Sequence, residues 1–157
     1  MATETLKATI RGDLTAAMKS RDKLTASTLR MALTAITNAE VSGKTARELS
    51  DEDVVVVLTK EVKKRAEASA AYRDAGRPDS AELEEAEAAV LRAYLPAQMS
   101  VTEVQALIDE AVAQAQAKGM EGGRAMGAVM GAVRPRTTGR FDGGELAALV
   151  KQSLAMT

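Results

Sequence analysis

Leu6, Ile10, Leu14 and Met18 fall every fourth residue, and that spacing recurs so persistently along the chain that little except a helical fold can use it. These four give a helix over about residues 3 to 20 its apolar stripe. The period holds even where local preference opposes it. VVVV at 54–57 favours strand, yet Val55, Leu58, Val62, Ala66, Ser69 and Tyr72 keep helical spacing over five turns, which predicts a helix from Ser50 to about Ala75. Alanine is abundant, and Tyr72, Tyr94 and Phe141 are the only aromatic residues, so the chain reads as all-α.

Capping residues divide it into seven helices. Asp22 opens a second helix that runs to about Val41, buries Leu29, Leu33 and Ile36, and ends at Gly43. GKTARELS is a polar connection, and Ser50 with Asp51, Glu52 and Asp53 puts a cap and three acids at a helix start. Gly76 stops the third helix and Pro78 begins the fourth. There Leu83, Val90, Leu91 and Tyr94 should face inward, with Glu82, Glu84, Glu85 and Glu87 around the other side. After the break at PAQMS, Ser100 and Glu103 form a capping box before Val104, Leu107, Ile108, Ala111 and Val112, a fifth helix that ends at Lys118-Gly119. The sixth holds Met126, Val129, Met130 and Val133 and should stop before Pro135. The seventh follows Asp142 with Leu146, Leu149, Val150 and Leu154. We expect two helical domains: a four-helix bundle over residues 1–95 and a three-helix domain over 96–157.

Composition narrows the chemistry. There is no cysteine and no histidine, which removes thiolate chemistry, the usual general base and the commonest metal ligand. No phosphate-binding loop, dinucleotide fingerprint or nucleophile elbow occurs, so no catalytic residue, metal or cofactor is expected. The net charge of −1 supplies no global field to draw the molecule onto DNA or a membrane, and so few rings argue against stacking unpaired bases. Glu4, Arg11 and Asp13 make the N-terminus unlike a signal peptide, and no stretch approaches ~20 apolar residues, so a cytoplasmic protein is expected.

One stretch concentrates positive charge. In RPRTTGR, Arg134, Arg136 and Arg140 surround Thr137, Thr138 and Gly139, with Arg124 and Lys151 on neighbouring helices. Arginines, hydroxyls and open glycine amides are the donors that phosphate oxygens need. The alternative is a solvated helix end whose arginines neutralise the dipole and pair with Asp142 or Glu145. Gly123, Gly127 and Gly131 share one helix face. Close packing of neighbouring helices explains that spacing most simply, and a bulky partner lying on the face is the other explanation. Lys60, Lys63 and Lys64, beside Arg65, form a secondary basic patch best read as solvated, with Arg65 paired to Glu61.

The order and spacing of KEVKKR, YRDAGR, YLPAQMS and MGAVM, followed by GRFDGGELAALV, resemble the GatB/YqeY family, and the similarity covers nearly the whole chain. The resemblance implies two helical domains of four and three helices. It also implies kinship with the tail of the B subunit of the glutamine-dependent tRNA amidotransferase and with tails of some glutaminyl-tRNA synthetases, which hold the outer corner of tRNA. Carried over, the implied RNA surface is Gly127 and Met130, then Gly139, Arg140, Asp142 and Gly143. Ala125, Ala128 and Phe141 stand where relatives commonly carry an acid, a lysine and an alanine, so this face has one cation fewer. The expectation is a non-catalytic tRNA-binding module. Alternatives are a partner of amidotransferase subunits or an aminoacyl-tRNA synthetase, contributing to carbon-nitrogen ligation with glutamine as amide donor, and a helical protein-protein adaptor.

Overall fold

A computed structural model of the protein describes residues 3–156, so residues 1, 2 and 157 of the expected domain spans lie outside the described residues. Its secondary structure consists of helices: α1 (Leu6–Lys19), α2 (Lys23–Glu40), α3 (Asp51–Asp74), α4 (Pro78–Arg92), α5 (Val101–Ala117), α6 (Gly122–Thr137) and α7 (Gly143–Ala155). They cluster into a group of four and a group of three, in the compact units Met1–Leu95 and Pro96–Thr157. Among the described residues no helix is long and apolar enough to cross a membrane.

The N-terminal unit closes around Ile10, Leu29, Ala32, Ile36, Leu49, Val54, Leu58 and Leu91. Most of its helix starts are capped as the side chains suggest: Asp22 accepts the Thr25 amide at 3.1 Å and Ser50 the Asp53 amide at 3.2 Å, while Pro78 occupies the first position of α4. Gly76 ends α3 at φ 73, a left-handed conformation that glycine adopts without strain. At the end of α1 the same conformation falls to Arg21, at φ 61. There the Arg21 amide reaches the Met18 carbonyl and the Asp22 amide reaches that of Ala17. This pairing is the glycine-favouring helix terminator, here built on an arginine at a cost of about 1 kcal/mol.

Several interior assignments differ from the sequence reading. Met18 and Leu83 are half exposed, at 51% and 52%. On α3 the buried set is Val54, Leu58, Arg65 and Ser69; Val55 is only half-buried and Ala66 is exposed. For Leu83 and the α3 residues the cause lies in the seam between α3 and α4, the most extensive contact between described helices. α4 turns the small residues Ala81 and Ala88 inward, and two of the glutamates expected on its solvent side face α3 instead. Arg65, with a side chain only 8% exposed, donates from Nε to Glu87 at 3.2 Å and from Nη1 to both the Glu61 carboxylate and its carbonyl at 3.1 Å. Glu85 accepts from Ser69 Oγ and Arg73 Nη2, each at 2.7 Å. A buried cation with this many acceptors is tolerable, whereas removing one partner would strand a charge.

The connection between α2 and α3 is less polar in behaviour than in composition. α2 ends at Glu40, before Gly43, and Leu49 is tucked into the core. Glu40 ties the segment down by pairing with Lys7 Nζ at 2.7 Å and accepting the Leu49 amide at 3.2 Å. The Tyr94 hydroxyl, just after α4, donates to Asp13 on α1. Burial first, and then the Asp13 carboxylate, push the Tyr94 phenol well above its ordinary value.

In the C-terminal unit, α5, α6 and α7 enclose Val104, Ile108, Val112, Val129, Val133, Leu146 and Val150. Ser100 and Glu103 make the reciprocal capping box, with both bonds at 3.1 Å, and Asp142 caps α7 through the Glu145 amide at 2.9 Å. The sequence reading ends the sixth helix before Pro135, but α6 runs through it to Thr137. Proline has no amide to offer the carbonyl four residues back, so the Gly131 carbonyl lacks its helical donor. The Thr138 amide restores the ladder to Arg134 at 3.0 Å.

Candidate nucleic-acid interface

α6 buries one face and leaves the other open. Ala125, Val129, Val133 and Thr137 point into the core, and Met126 and Met130 pack half-buried beside them. Gly123, Gly127 and Gly131 lie on the opposite side and are exposed. A Cβ added at any of the three would meet nothing within 4 Å. Close helix packing therefore does not explain them, which corrects the simplest reading of their spacing. Their effect is a helix surface without side chains, along which a partner can reach the backbone.

Two cations border that surface. Arg124 follows Gly123 directly, and Arg134 stands three residues after Gly131 on the glycine side. From Gly123 to Arg134 the face runs about 16 Å, at ~1.5 Å per residue. Both arginines are exposed, and among the described residues neither makes an ion pair.

The rest of RPRTTGR is placed differently. Arg136 is exposed on the other flank of α6, at a shallow hollow shared with Leu107, Glu110 and Gln114 of α5. The Thr137 hydroxyl donates to the Val133 and Arg134 carbonyls, both at 3.2 Å, and the Thr138 hydroxyl to the Arg134 carbonyl at 2.8 Å. Both threonines finish the helix end, so their hydroxyl protons are already donated to its carbonyls. Gly139 is buried, turns at φ 75, and accepts the Gln98 side-chain amide at 2.9 Å. Arg140 donates from Nε to the Ala97 carbonyl at 2.9 Å, and its own carbonyl takes the Met99 amide at 2.8 Å. These three bonds clasp segment 97–99 to the turn. No periodicity or motif announces the clasp in the sequence.

Lys151 is exposed on α7, next to buried Val150. Gly143 is exposed in the first turn of α7, after its cap Asp142. In the N-terminal unit Lys60, Lys63 and Lys64 are exposed on α3, with Lys64 bonded to Glu61 at 3.3 Å and Arg65 turned inward. Among the described residues no group of three or more carboxylates is placed to hold a metal ion.

Among the described residues, seven helices in groups of four and three, with an uncovered glycine face flanked by two arginines, define a small all-helical protein. Its sequence matches the model of Yqey-like proteins over residues 7–154, and the chain belongs to that family. It is also similar to an uncharacterised protein of Schizosaccharomyces pombe, at 45% identity over 91 residues, which cover 58% of this chain and 72% of the relative.

Proposed function

We propose that the protein is a non-catalytic tRNA-binding module of the cytoplasm whose α6 face lies against the sugar-phosphate backbone. The observation that carries this reading is the open face itself: three exposed glycines, Gly123, Gly127 and Gly131, with nothing above them, flanked by Arg124 and Arg134. Glycines cost a helix about 1 kcal/mol each relative to alanine, and here no internal contact requires them. A backbone-to-backbone approach by a folded RNA would require them. Recognition would then rest on shape and phosphates, with the bases remaining paired. Kinship with the amidotransferase B-subunit tail suggests the outer corner of tRNA as the contact, and amidotransferase subunits or an aminoacyl-tRNA synthetase as the setting. In this division of labour Arg124 and Arg134 hold phosphates, Arg136 and Lys151 extend the field, and Gly139 and Arg140 shape the turn.

The test is fluorescence anisotropy with bulk uncharged tRNA across a salt series, against duplex DNA of equal length. Saturable binding that prefers tRNA and weakens steeply with salt is expected. Arg124→Gln with Arg134→Gln should lower affinity roughly tenfold and flatten the log–log salt slope by about 1 to 2. Equal binding of both nucleic acids, or an unchanged slope in the double variant, would refute the reading. Salt-insensitive capture of a protein in place of RNA would instead make the glycine face a helix-docking surface.

A further inference from the structure

A second concentration of positive charge lies in the N-terminal unit, at the corner between α1 and α2. Lys19, Arg21, Lys23 and Arg30 are all exposed there. The acid among them, Asp22, is occupied as the cap of α2, and the Thr25 hydrogen bonds hold its carboxyl below the usual range. After it the chain carries no acid until Glu40. Among the described residues Lys19, Arg21 and Lys23 have no ion-pair partner, and Arg30 rests its Nη2 on Met18 Sδ at 3.4 Å. Beside them is a hollow of about 430 Å³ lined by Arg21, Lys23 and Arg30 together with Ala17, Met18, Ala26, Ser27 and the capping Asp22; Lys19 lies outside the lining.

The backbone singles out Arg21. α3 and α5 end on Gly76 and Gly119, at φ 73 and 69, where α1 ends on Arg21. Glycine would make the same turn without strain, so what arginine adds is its cation beside the hollow. The α3 lysine patch is weaker by the same standard, since Lys64 is paired and Arg65 is turned inward.

We propose that the α1–α2 corner is a second phosphate-binding site, built for a ligand with closely spaced phosphates. As an RNA contact it rests on the tRNA-binding reading; the same chemistry would also hold a free polyphosphate. The variant that tests it is Arg21→Gly with Lys23→Gln, which removes two charges while relieving the left-handed arginine, so its melting temperature should not fall. Expected is a roughly tenfold loss of tRNA affinity with a salt slope flatter by about 1 to 2, and less than twofold change in a Lys44→Gln, Lys118→Gln control that removes as many exposed charges. Pyrophosphate titration followed calorimetrically separates the sources. If the variant loses pyrophosphate binding but keeps tRNA binding, the site stands with a free polyphosphate as its ligand. If wild type binds pyrophosphate and not tRNA, and the variant binds neither, the site stands and the tRNA reading fails. Unchanged affinity for both ligands in the variant overturns the site and leaves the α6 reading intact. Absence of wild-type binding to either overturns both.

Discussion

Thr28 is fully buried on α2, and its hydroxyl finds no hydrogen-bond partner. Thr28→Val keeps the shape and removes the unsatisfied group, so it should stabilise the protein by about 1 kcal/mol, read from the shift of the urea midpoint. Arg140 argues the other way. Although it was singled out for its charge, it donates to Ala97 within the clasp, and Arg140→Ala should cost about 1 kcal/mol even without RNA. A binding defect in that variant needs a stability measurement beside it, which is why Arg124 and Arg134 make the cleaner probes. Residue by residue, the caps were the legible part: Asp22, Ser50, Ser100 with Glu103, and Asp142 all act within three residues of themselves. The pairing of Arg65 with Glu61 was legible in the same way, but its burial, like the placement of Leu83 and Thr28, was not, because those surroundings come from helices distant in sequence.

At the scale of the helix, α6 carries the most specific expectation. Gly127 has helical backbone and open space above it, so Gly127→Ala should raise stability by up to ~1 kcal/mol. Gly127→Leu should fold as well, yet lose tRNA binding at least tenfold if the backbone lies against RNA. A Leu variant that binds like wild type would detach the glycines from the function proposed. The sequence could place these glycines on one face, but spacing alone does not say whether that face meets a neighbour or solvent. It also misplaced the end of α6, since the threonines after Pro135 carry the helix on by bonding back to its carbonyls. In α3 the period was right while the register was off by one at Val54 and Arg65; at Arg65 the Glu87 partner on α4 decided which side turned inward.

Across the whole molecule, charge and aromatic content are unevenly divided. Glu40, held below the ordinary glutamate range by Lys7 and then by the Leu49 amide, belongs to the N-terminal unit, as do Glu85, lowered chiefly by Arg73 and Ser69, and Asp53, lowered chiefly by Arg47. A carboxyl lowered in the folded state contributes stability above its unfolded value and loses it as pH falls through the folded one. Urea midpoints for this unit should therefore drop as pH falls below about 4.5, and Glu40→Gln should show a shallower drop. An equal slope in the variant would mean that the Lys7 pair contributes nothing measurable. The tyrosines follow the same division. Tyr72, beneath Arg77, and Tyr94, bonded to Asp13, both lie in the N-terminal unit, and the protein has no tryptophan. A phenol bonded to a carboxylate emits weakly, so unfolding that frees Tyr94 should brighten the intrinsic fluorescence, and that signal will report on the first ninety-five residues alone. The half of the protein that carries the open helix face is optically dark, and a single tryptophan placed at Phe141 would let its melting be watched without interference from the other half.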